Sequence, residues 1–346
     1  MAIAVAKPLW ILHLLLLFCD PSSVSAIGYV GGGDDNSAQG DYSAILAGKG
    51  NIAAKEYSSV GGGLYNFAVA DYASVSGGYN NGVSGLMATI GAGRENSAGG
   101  AYSTIAGGRE NVASGNYNTI AGGENNVASG VYSSIAGGYG NYVIAPYGAT
   151  LGGFGNWVEG AYSIIGGGFQ NSAFGISAAI GGGDLNNATG ECSTIAGGEY
   201  NSASSDFTTI SGGSGNDVTD AYGVVAGGQN NIAASAWASV GGGQANSILE
   251  GIHAVISGGQ SNVASGRAVA ITGGLLNTVS GYASSVLGGL DNIIESSSGA
   301  VIVGGSGNRV SGNGSLAFGV HAQITHSAAA VFALNGGSHC ASQGEN

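Results

Sequence analysis

The hydrophobic positions of this 346-residue chain recur every fifteen residues over most of its length. Each copy has one Ile or Val, followed by Ala or Gly, usually by Gly-Gly and two variable residues, and then by an Asn; Thr150 alone departs from the apolar position. Around it, Tyr, Thr and Ala alternate with Ser, Ile and Gly, as in residues 102–108 and 117–123. Such alternation is typical of a strand with two unlike faces. We therefore predict a short strand in every copy, with its Ile or Val in a continuous apolar core.

The Asn of each copy forms a second regular column, with a spacing of 15 that later becomes 16, 15, 15 and 16. A short amide suits a turn, because it tolerates left-handed backbone and can bond nearby peptide groups. Stacked in register, these amides predict a structural ladder between turns. A ligand-binding stripe is the alternative interpretation. The column consists of Asn36, Asn51, Asn66, Asn81, Asn96, Asn111, Asn126, Asn141, Asn156, Asn171, Asn186, Asn201, Asn216, Asn231, Asn246, Asn262, Asn277, Asn292 and Asn308.

The length of the repeat determines the predicted fold class. Fifteen residues are too few for a pair of helices and fit one coil of a parallel β-solenoid. We predict an all-β domain over residues 27–333, with about 19–20 coils and a length of ~90 Å at the usual sheet spacing. Residues 334–346 are predicted to be a disordered C-terminal tail.

The first 26 residues have the pattern of a secretory signal peptide. Lys7 precedes an apolar stretch from Leu9 to Phe18, and small residues at Val24-Ser25-Ala26 suit cleavage. No later stretch reaches the ~18 apolar residues expected of a membrane span, so we predict no transmembrane segment. The expected location is secreted, extracellular or at the cell surface.

The amino-acid composition excludes several classes of protein. Glycine supplies 70 residues, charged residues only 8%, and three prolines are too few for collagen. The net charge of -13 has the wrong sign for a nucleic-acid partner. Carboxylates such as Glu95, Glu110, Glu124 and Glu199 fall mostly at variable turn positions, where they favour solubility. We predict no catalytic residues and no cofactor.

Metal binding is also not expected. His321 and His326 lie five residues apart near the end of the repeats, without cysteine or acidic residues beside them. A zinc site usually draws four ligands from such residues. Calcium-binding solenoids carry Asp at a fixed position of each repeat, and this repeat has none.

The last copies carry a family resemblance. Residues 314–322 read Gly-Ser-Leu-Ala-Phe-Gly-Val-His-Ala, and residues 327–333 repeat a similar strand. With the upstream copies, residues 28–333 resemble the head repeats of YadA-like trimeric adhesins and of glycine-rich secreted proteins built from the same repeats. Upstream copies differ in having Gly where Phe318 stands and Asn where Ala322 stands. The resemblance implies a left-handed parallel β-roll that assembles as a homotrimer and attaches to glycans or proteins of a cell surface or extracellular matrix.

A third column carries aromatic residues six positions after the Asn. Met87, Ser177 and Cys192 interrupt it. Stacked aromatic side chains could bind sugars or another chain, and they could equally brace a corner of the roll. This candidate binding stripe comprises Tyr42, Tyr57, Tyr72, Tyr102, Tyr117, Tyr132, Tyr147, Tyr162, Phe207, Tyr222 and Trp237.

Together these patterns predict a secreted, non-catalytic structural or adhesive protein that presents a multivalent surface. An ice-binding or carbohydrate-binding solenoid is the alternative. The column beside the Ile spine mixes Thr104 with Ala149 and Ile164, which is irregular for a flat ice-binding array.

Two further features concern covalent modification. Cys192 and Cys340 are about nine coils apart along a straight solenoid, so free thiols or bonds between chains are expected in place of an intrachain disulfide. Asn187 and Asn313 begin Asn-x-Thr and Asn-x-Ser sequences, which are N-glycosylation acceptors in a eukaryotic host.

Overall fold

A computed structural model describes residues 28–333 of the chain. These residues form a parallel β-solenoid of about twenty coils with a repeat of about fifteen residues and no helix, so the predicted fold class is confirmed. The predicted signal peptide, the C-terminal tail and Cys340 lie outside the described residues.

Two parallel sheets run along the solenoid, and each coil contributes one short strand to both. The first sheet contains the predicted Ile strand of every copy. Its strands are Tyr29–Val30, Ala44–Ile45, Ser59–Val60, Ser74–Val75, Thr89–Ile90, Thr104–Ile105, Thr119–Ile120, Ser134–Ile135, Ala149–Thr150, Ile164–Ile165, Ala179–Ile180, Thr194–Ile195, Thr209–Ile210, Val224–Val225, Ser239–Val240, Val255–Ile256, Ala270–Ile271, Ser285–Val286, Val301–Ser306, Leu316–Val320 and Ala330–Ala333. The second sheet follows the Asn column. Its strands are Ser37–Ala38, Ile52–Ala53, Phe67–Ala68, Gly82–Val83, Ser97–Ala98, Val112–Ala113, Val127–Ala128, Tyr142–Val143, Trp157–Val158, Ser172–Ala173, Asn187–Ala188, Ser202–Ala203, Asp217–Val218, Ile232–Ala233, Ser247–Ile248, Val263–Ala264, Thr278–Val279, Ile293–Ile294, Arg309–Val310 and Gln323–Ile324.

Equivalent residues of successive coils lie directly above one another. In the first sheet Thr119 pairs with Ser134 and Ile120 with Ile135. A third line of single parallel bridges, made by the residue two positions before each column Asn, runs along the remaining side from Asp34 to Ser306. Each coil is therefore held to its neighbours on three sides by backbone hydrogen bonds.

The core is a spine of branched side chains facing small ones. Ile120 is fully buried in the first sheet, and Ala113 is fully buried in the second. Where the second sheet carries a larger residue, a neighbouring position is smaller. Val143 replaces the usual Ala, and Gly148 beside it has no side chain; a Cβ on Gly148 would come within 2.9 Å of the Val143 side chain. This matching of large and small residues fills the interior, as close packing requires.

The second Gly of each Gly-Gly pair has a specific structural role. At Gly123, φ is +88°, in the region that L side chains rarely adopt. A Cβ there would also lie 2.6 Å from Nδ2 of Asn126 and inside contact distance of the Gly138 carbonyl oxygen. Both the backbone angle and the close packing between coils therefore require glycine.

The last coils differ from the others. Their first-sheet strands lengthen to Val301–Ser306, Leu316–Val320 and Ala330–Ala333, and the pairing of the first two shifts register between Ile302 and Gly304. This change coincides with the Leu-Ala-Phe-Gly sequence that carries the family resemblance.

The one polar residue of the spine provides a test of core packing. Thr150 is buried between Ile135 and Ile165, and its hydroxyl donates to the Gly152 carbonyl at 3.2 Å. That carbonyl also accepts from Asn156 Nδ2 at 2.8 Å, so removing the hydroxyl does not leave it unpaired. The other bond of the hydroxyl, which it accepts from the Gly152 N–H, is long at 3.4 Å and its loss costs little. We expect Thr150→Val to raise the free energy of unfolding by about 1 kcal/mol, because a buried hydroxyl is replaced by a methyl group.

Urea unfolding followed by circular dichroism measures this change. Thr119→Val, at the exposed position of an equivalent strand, is the control and should alter stability by less than about 0.5 kcal/mol. A destabilised Thr150→Val protein would show that the hydroxyl is needed at this point of the spine.

Candidate functional site: the aromatic corner

The aromatic column lies where the chain leaves the second sheet and enters the first; we call this position of each coil the aromatic corner. Tyr117, for example, follows Val112–Ala113 and precedes Thr119–Ile120. Its backbone is left-handed, with φ of 59°, and its N–H donates to the Ala101 carbonyl of the preceding coil at 2.8 Å. The hydrogen bond between coils fixes the corner, and the ring projects into solvent.

Rings at the aromatic corner form three stacks. Neighbouring ring centroids of the central stack are 4.6–5.1 Å apart, with planes only 2–9° from parallel. The N-terminal stack has similar separations of 4.8 and 4.9 Å. Met87 separates these two stacks, and Ser177 and Cys192 separate the central stack from the C-terminal one. The N-terminal stack is Tyr42, Tyr57 and Tyr72; the central stack is Tyr102, Tyr117, Tyr132, Tyr147 and Tyr162; the C-terminal stack is Phe207, Tyr222 and Trp237.

The stacking determines which part of each ring meets solvent. Coplanar rings would overlap at these separations, so neighbouring rings face one another. Inner rings therefore present their edges and hydroxyl groups, whereas a free face remains only at the end of a stack. Exposure is highest at the C-terminal end of the central stack, where Tyr162 is 62% exposed, against 43% for the inner Tyr117 and for Tyr102 at the other end. The phenol oxygens of the central stack make no hydrogen bond to any other residue in 28–333.

Backbone preference does not explain why the corner is aromatic. Every coil has a second left-handed residue, directly before the column Asn, and there the chain often uses the residues that tolerate this geometry, such as Gly140, Gly155, Asn80 and Asn125. From Tyr42 to Trp237 the aromatic corner contains neither Gly nor Asn, although its φ is equally positive. The aromatic residues are therefore present for their side chains: for the stack itself, for the surface that it presents, or for both.

A second group of exposed aromatic residues was not predicted from the sequence. Tyr139, Phe154 and Phe169 stack at 5.1 Å on the line of single bridges, and Tyr142 stacks on Trp157 at 5.7 Å on the second sheet. The signal was available, because the first three all stand two residues before a column Asn in consecutive coils. Together with the central stack they make residues 132–174 the most aromatic stretch of the surface.

The column Asn side chains form a ladder that is buried from Asn51 to Asn308. Nδ2 of Asn126 donates to Oδ1 of Asn111 at 3.1 Å and to the carbonyls of Gly122 and Gly138 at 3.2 and 3.0 Å. Its Oδ1 accepts from the N–H and from Nδ2 of Asn141, both at 3.0 Å. All polar atoms of the amide are thus used within the solenoid, which leaves no group free for a ligand.

The expected left-handed backbone of the column Asn was wrong. None of the ladder residues has positive φ; the residue directly before each one adopts it instead, for example Glu110 and Asn125 at 56°. The physical reason is that the amide is needed in the interior, so the ladder residue adopts the geometry of a strand entry and the preceding exposed residue makes the turn.

Charged groups lie along the solvent-exposed edges, as the positions of the carboxylates predicted. Arg109 pairs with Glu124 of the next coil, and Arg94 pairs with Glu95 at 3.0 Å. Asp217 lies on the second sheet, where burial raises the pKa of its carboxyl.

The N-terminal stack contains a perturbed phenol. Desolvation raises the pKa of Tyr57, and the neighbouring phenols of Tyr42 and Tyr72 raise it further, because stacked phenolates would repel one another. Ionising Tyr57 is therefore harder than ionising a separate tyrosine.

Other candidate positions are dispersed. His321 occupies the left-handed position directly before Ala322, and His326 contacts the Thr325 hydroxyl at 3.1 Å. Residues 28–333 contain no group of three or more His, Cys, Asp or Glu placed to hold a metal ion. Cys192 is exposed at the aromatic corner. Within the same range, no helix is long and apolar enough to cross a membrane.

The two glycosylation acceptors have different surroundings. Asn313 is exposed in a turn, where its Oδ1 accepts from the Ser298 N–H at 2.7 Å. Asn187 is half-buried in a second-sheet strand, with Oδ1 buried and without a hydrogen-bond partner among residues 28–333. Asn313 is thus the more accessible acceptor.

No protein-family model matches the chain, and comparison with curated proteins finds no similar sequence. The function is therefore argued from the geometry of the solenoid surface.

Proposed function

We propose that this chain is a secreted, non-catalytic structural and adhesive rod that attaches to a cell surface or extracellular matrix through many equivalent weak contacts. The observation that carries this proposal is the central stack: five exposed phenols at one corner, with ring centroids 4.6–5.1 Å apart and hydroxyl groups that bond to no other residue in 28–333. Weak contacts on one rigid support add in free energy, because the first contact brings the others within reach.

The fold suits such a role. Each coil is tied to its neighbours on three sides, and the Asn ladder joins the coils internally, so the surface columns keep their spacing under load. Most outward positions of the first sheet carry small residues such as Thr104 and Thr119, although larger ones occur at Ile164, Val224 and Val255. Such a face lets another copy approach closely, which supports the trimer that the family resemblance implies.

The geometry favours edge contacts over stacking on sugar rings. Sugars stack on the open face of an aromatic ring, and inner rings of the central stack have both faces covered. Within this stack Tyr162, at the C-terminal end, is the most exposed ring, at 62%. Hydroxyl groups at regular spacing are better suited to hydrogen-bonding a polymer or a solid with many equivalent polar groups.

We expect the full chain to be retained by cellulose powder, gelatin-coated wells or silica beads, and retention to fall at least about tenfold when the five tyrosines of the central stack are replaced by Asn. Asn removes the ring while tolerating the left-handed backbone. Adsorption isotherms measure retention, and thermal melts verify that the variant is folded.

The matched control replaces five exposed tyrosines that lie outside the three stacks of the aromatic corner, each by Asn: Tyr65, Tyr79, Tyr139, Tyr142 and Tyr200. The control should retain at least half of the wild-type binding. An equal loss in both sets would exclude the central stack as the contact surface, and retention by none of the three materials would overturn the adhesive proposal.

A further inference from the structure

We propose that the two all-tyrosine stacks are oxidative cross-linking sites, at which copies of this chain are joined by dityrosine bonds under the action of a peroxidase and hydrogen peroxide. This inference goes beyond the proposed adhesive function and does not depend on it, because the partner is a second copy of the chain. We refer to the N-terminal and central stacks together as the tyrosine stacks; they contain eight of the sixteen tyrosines.

The exposed part of each ring is the part that reacts. A phenoxyl radical couples at the ring carbons beside the hydroxyl, and these carbons lie on the ring edge. Because the stacks cover ring faces and leave edges and hydroxyls in solvent, an oxidant and a second rod can both reach the coupling positions. No intrachain hydrogen bond holds these oxygens in residues 28–333.

Stacking also makes the sites equivalent. The rings of the central stack repeat at 4.6–5.1 Å with nearly parallel planes. An electron and a proton can pass between neighbouring phenols, so a radical formed at one ring can be shared along the stack until a partner arrives. The other tyrosines lack such a series: Tyr139 stacks on Phe154, Tyr142 stacks on Trp157, and Tyr65 meets Tyr79 edge-on at 6.4 Å.

The chemistry balances without any group beyond the named oxidant. Each of two tyrosines loses one electron and one proton to become a phenoxyl radical. The radicals form one carbon–carbon bond between ring carbons ortho to the hydroxyls, and the hydrogens on those carbons move to the oxygens, which restores both rings. Hydrogen peroxide takes up the two electrons and two protons and becomes two molecules of water.

The geometry directs coupling between molecules. The new bond lies in the plane of both rings, whereas neighbours within a stack lie face to face, and the left-handed corner hydrogen-bonded to the preceding coil restrains each ring. Two rods lying side by side bring their ring edges together. Since both rods have the same repeat, one contact places several further pairs in register.

The test uses two matched variants of the full chain, both carrying Cys192→Ser, which removes the thiol exposed at the aromatic corner; disulfides through the other cysteines are broken on the reducing gels. In the first, the eight tyrosines of the stacks are changed to Phe, which keeps the ring and removes the phenol. In the control, the other eight are changed to Phe. The two sets have similar exposure, 43–62% and 40–61%. The control positions are Tyr29, Tyr65, Tyr79, Tyr139, Tyr142, Tyr200, Tyr222 and Tyr282.

After treatment with a haem peroxidase and hydrogen peroxide, covalent multimers are measured on reducing denaturing gels and cross-linked peptides by mass spectrometry. We expect the control to form as many multimers as the Cys192→Ser parent does, and the stack variant to form at least about fivefold fewer. In the parent and the control, each pair of linked peptides should be two hydrogens lighter than the sum of the two peptides. Equal yields from both variants would mean that exposure alone decides reactivity, and dityrosine confined to single chains would exclude coupling between copies; either result overturns the proposal. Since the assay needs no adhesion surface, its failure is separate from failure of the proposed function.

Discussion

Asn126→Ala is expected to lower the free energy of unfolding by about 4 kcal/mol, although it removes only an amide from the middle of the solenoid. The change leaves the Asn141 N–H without its acceptor at 3.0 Å and the Gly122 carbonyl without its donor at 3.2 Å. The Asn141 N–H is buried and the Gly122 carbonyl is half-buried, and an unpaired buried group costs about 1–3 kcal/mol because it has also lost its contact with water. Urea unfolding followed by circular dichroism gives the change.

Asn125→Gly is the control for this prediction. Asn125 stands next to the ladder in left-handed backbone, which glycine adopts without strain, so the change should be within about 1 kcal/mol. A similar loss for both variants, or no loss for Asn126→Ala, would show that the ladder does not contribute to stability.

Asn126→Asp sharpens the same test through pH. The carboxyl has nearly the shape of the amide, but its second oxygen faces the carbonyls of Gly122 and Gly138, at the 3.2 and 3.0 Å that Nδ2 now spans. Repulsion and burial raise its pKa in the folded state above the ordinary ~3.9 of Asp. Stability is therefore retained below about pH 4 and lost as pH rises from there toward the raised pKa, since the unfolded chain releases its proton first. A variant that becomes more stable with rising pH would contradict this assignment of the hydrogen bonds.

The repeat determined most of the fold in advance, because a fixed register leaves each column only one environment. The Ile spine, its exposed neighbours and the stacking of equivalent residues all follow from the fifteen-residue period. The position of the left-handed turn does not follow from the period. An Asn beside glycines can adopt the turn itself, or it can bury its amide against the backbone. Asn126 buries its amide, and the residue before it, Asn125, adopts the left-handed turn.

The surface was less predictable than the core. Sequence places Tyr102 and Tyr117 one above the other, but only the centroid separation of 4.9 Å decides that their faces are covered and their edges exposed. The stack of Tyr139, Phe154 and Phe169 was not predicted, because the line of single bridges on which it lies otherwise carries unlike residues, from Lys49 to Gln244. When most residues of a column differ from coil to coil, the sequence shows no repeat at that position, even if three consecutive coils carry aromatic residues there.

Ile120→Asp should have the largest effect of all, with a loss of more than about 5 kcal/mol that is confined to a few coils. Ile120 is fully buried and stacks between Ile105 and Ile135. A carboxylate there meets no positive charge in the apolar spine, and even its neutral form needs hydrogen bonds that the spine does not supply. Because each coil is held only by its neighbours, the disruption should not spread to distant coils.

Thr119→Asp is the matched control, since the same charge is placed one residue away on the exposed face of the same strand and should change stability by less than about 1 kcal/mol. Limited proteolysis with mass mapping locates the damage: Ile120→Asp should admit cleavage near residues 105–135 under conditions in which the coils beyond residue 200 stay protected. Urea melts should split from one transition into two, because the coils on either side of the defect then unfold separately. If Ile120→Asp stayed protected from the protease along the whole chain, or if both substitutions destabilised the protein equally, Ile120 would not be the buried side of the strand and Thr119 its exposed side.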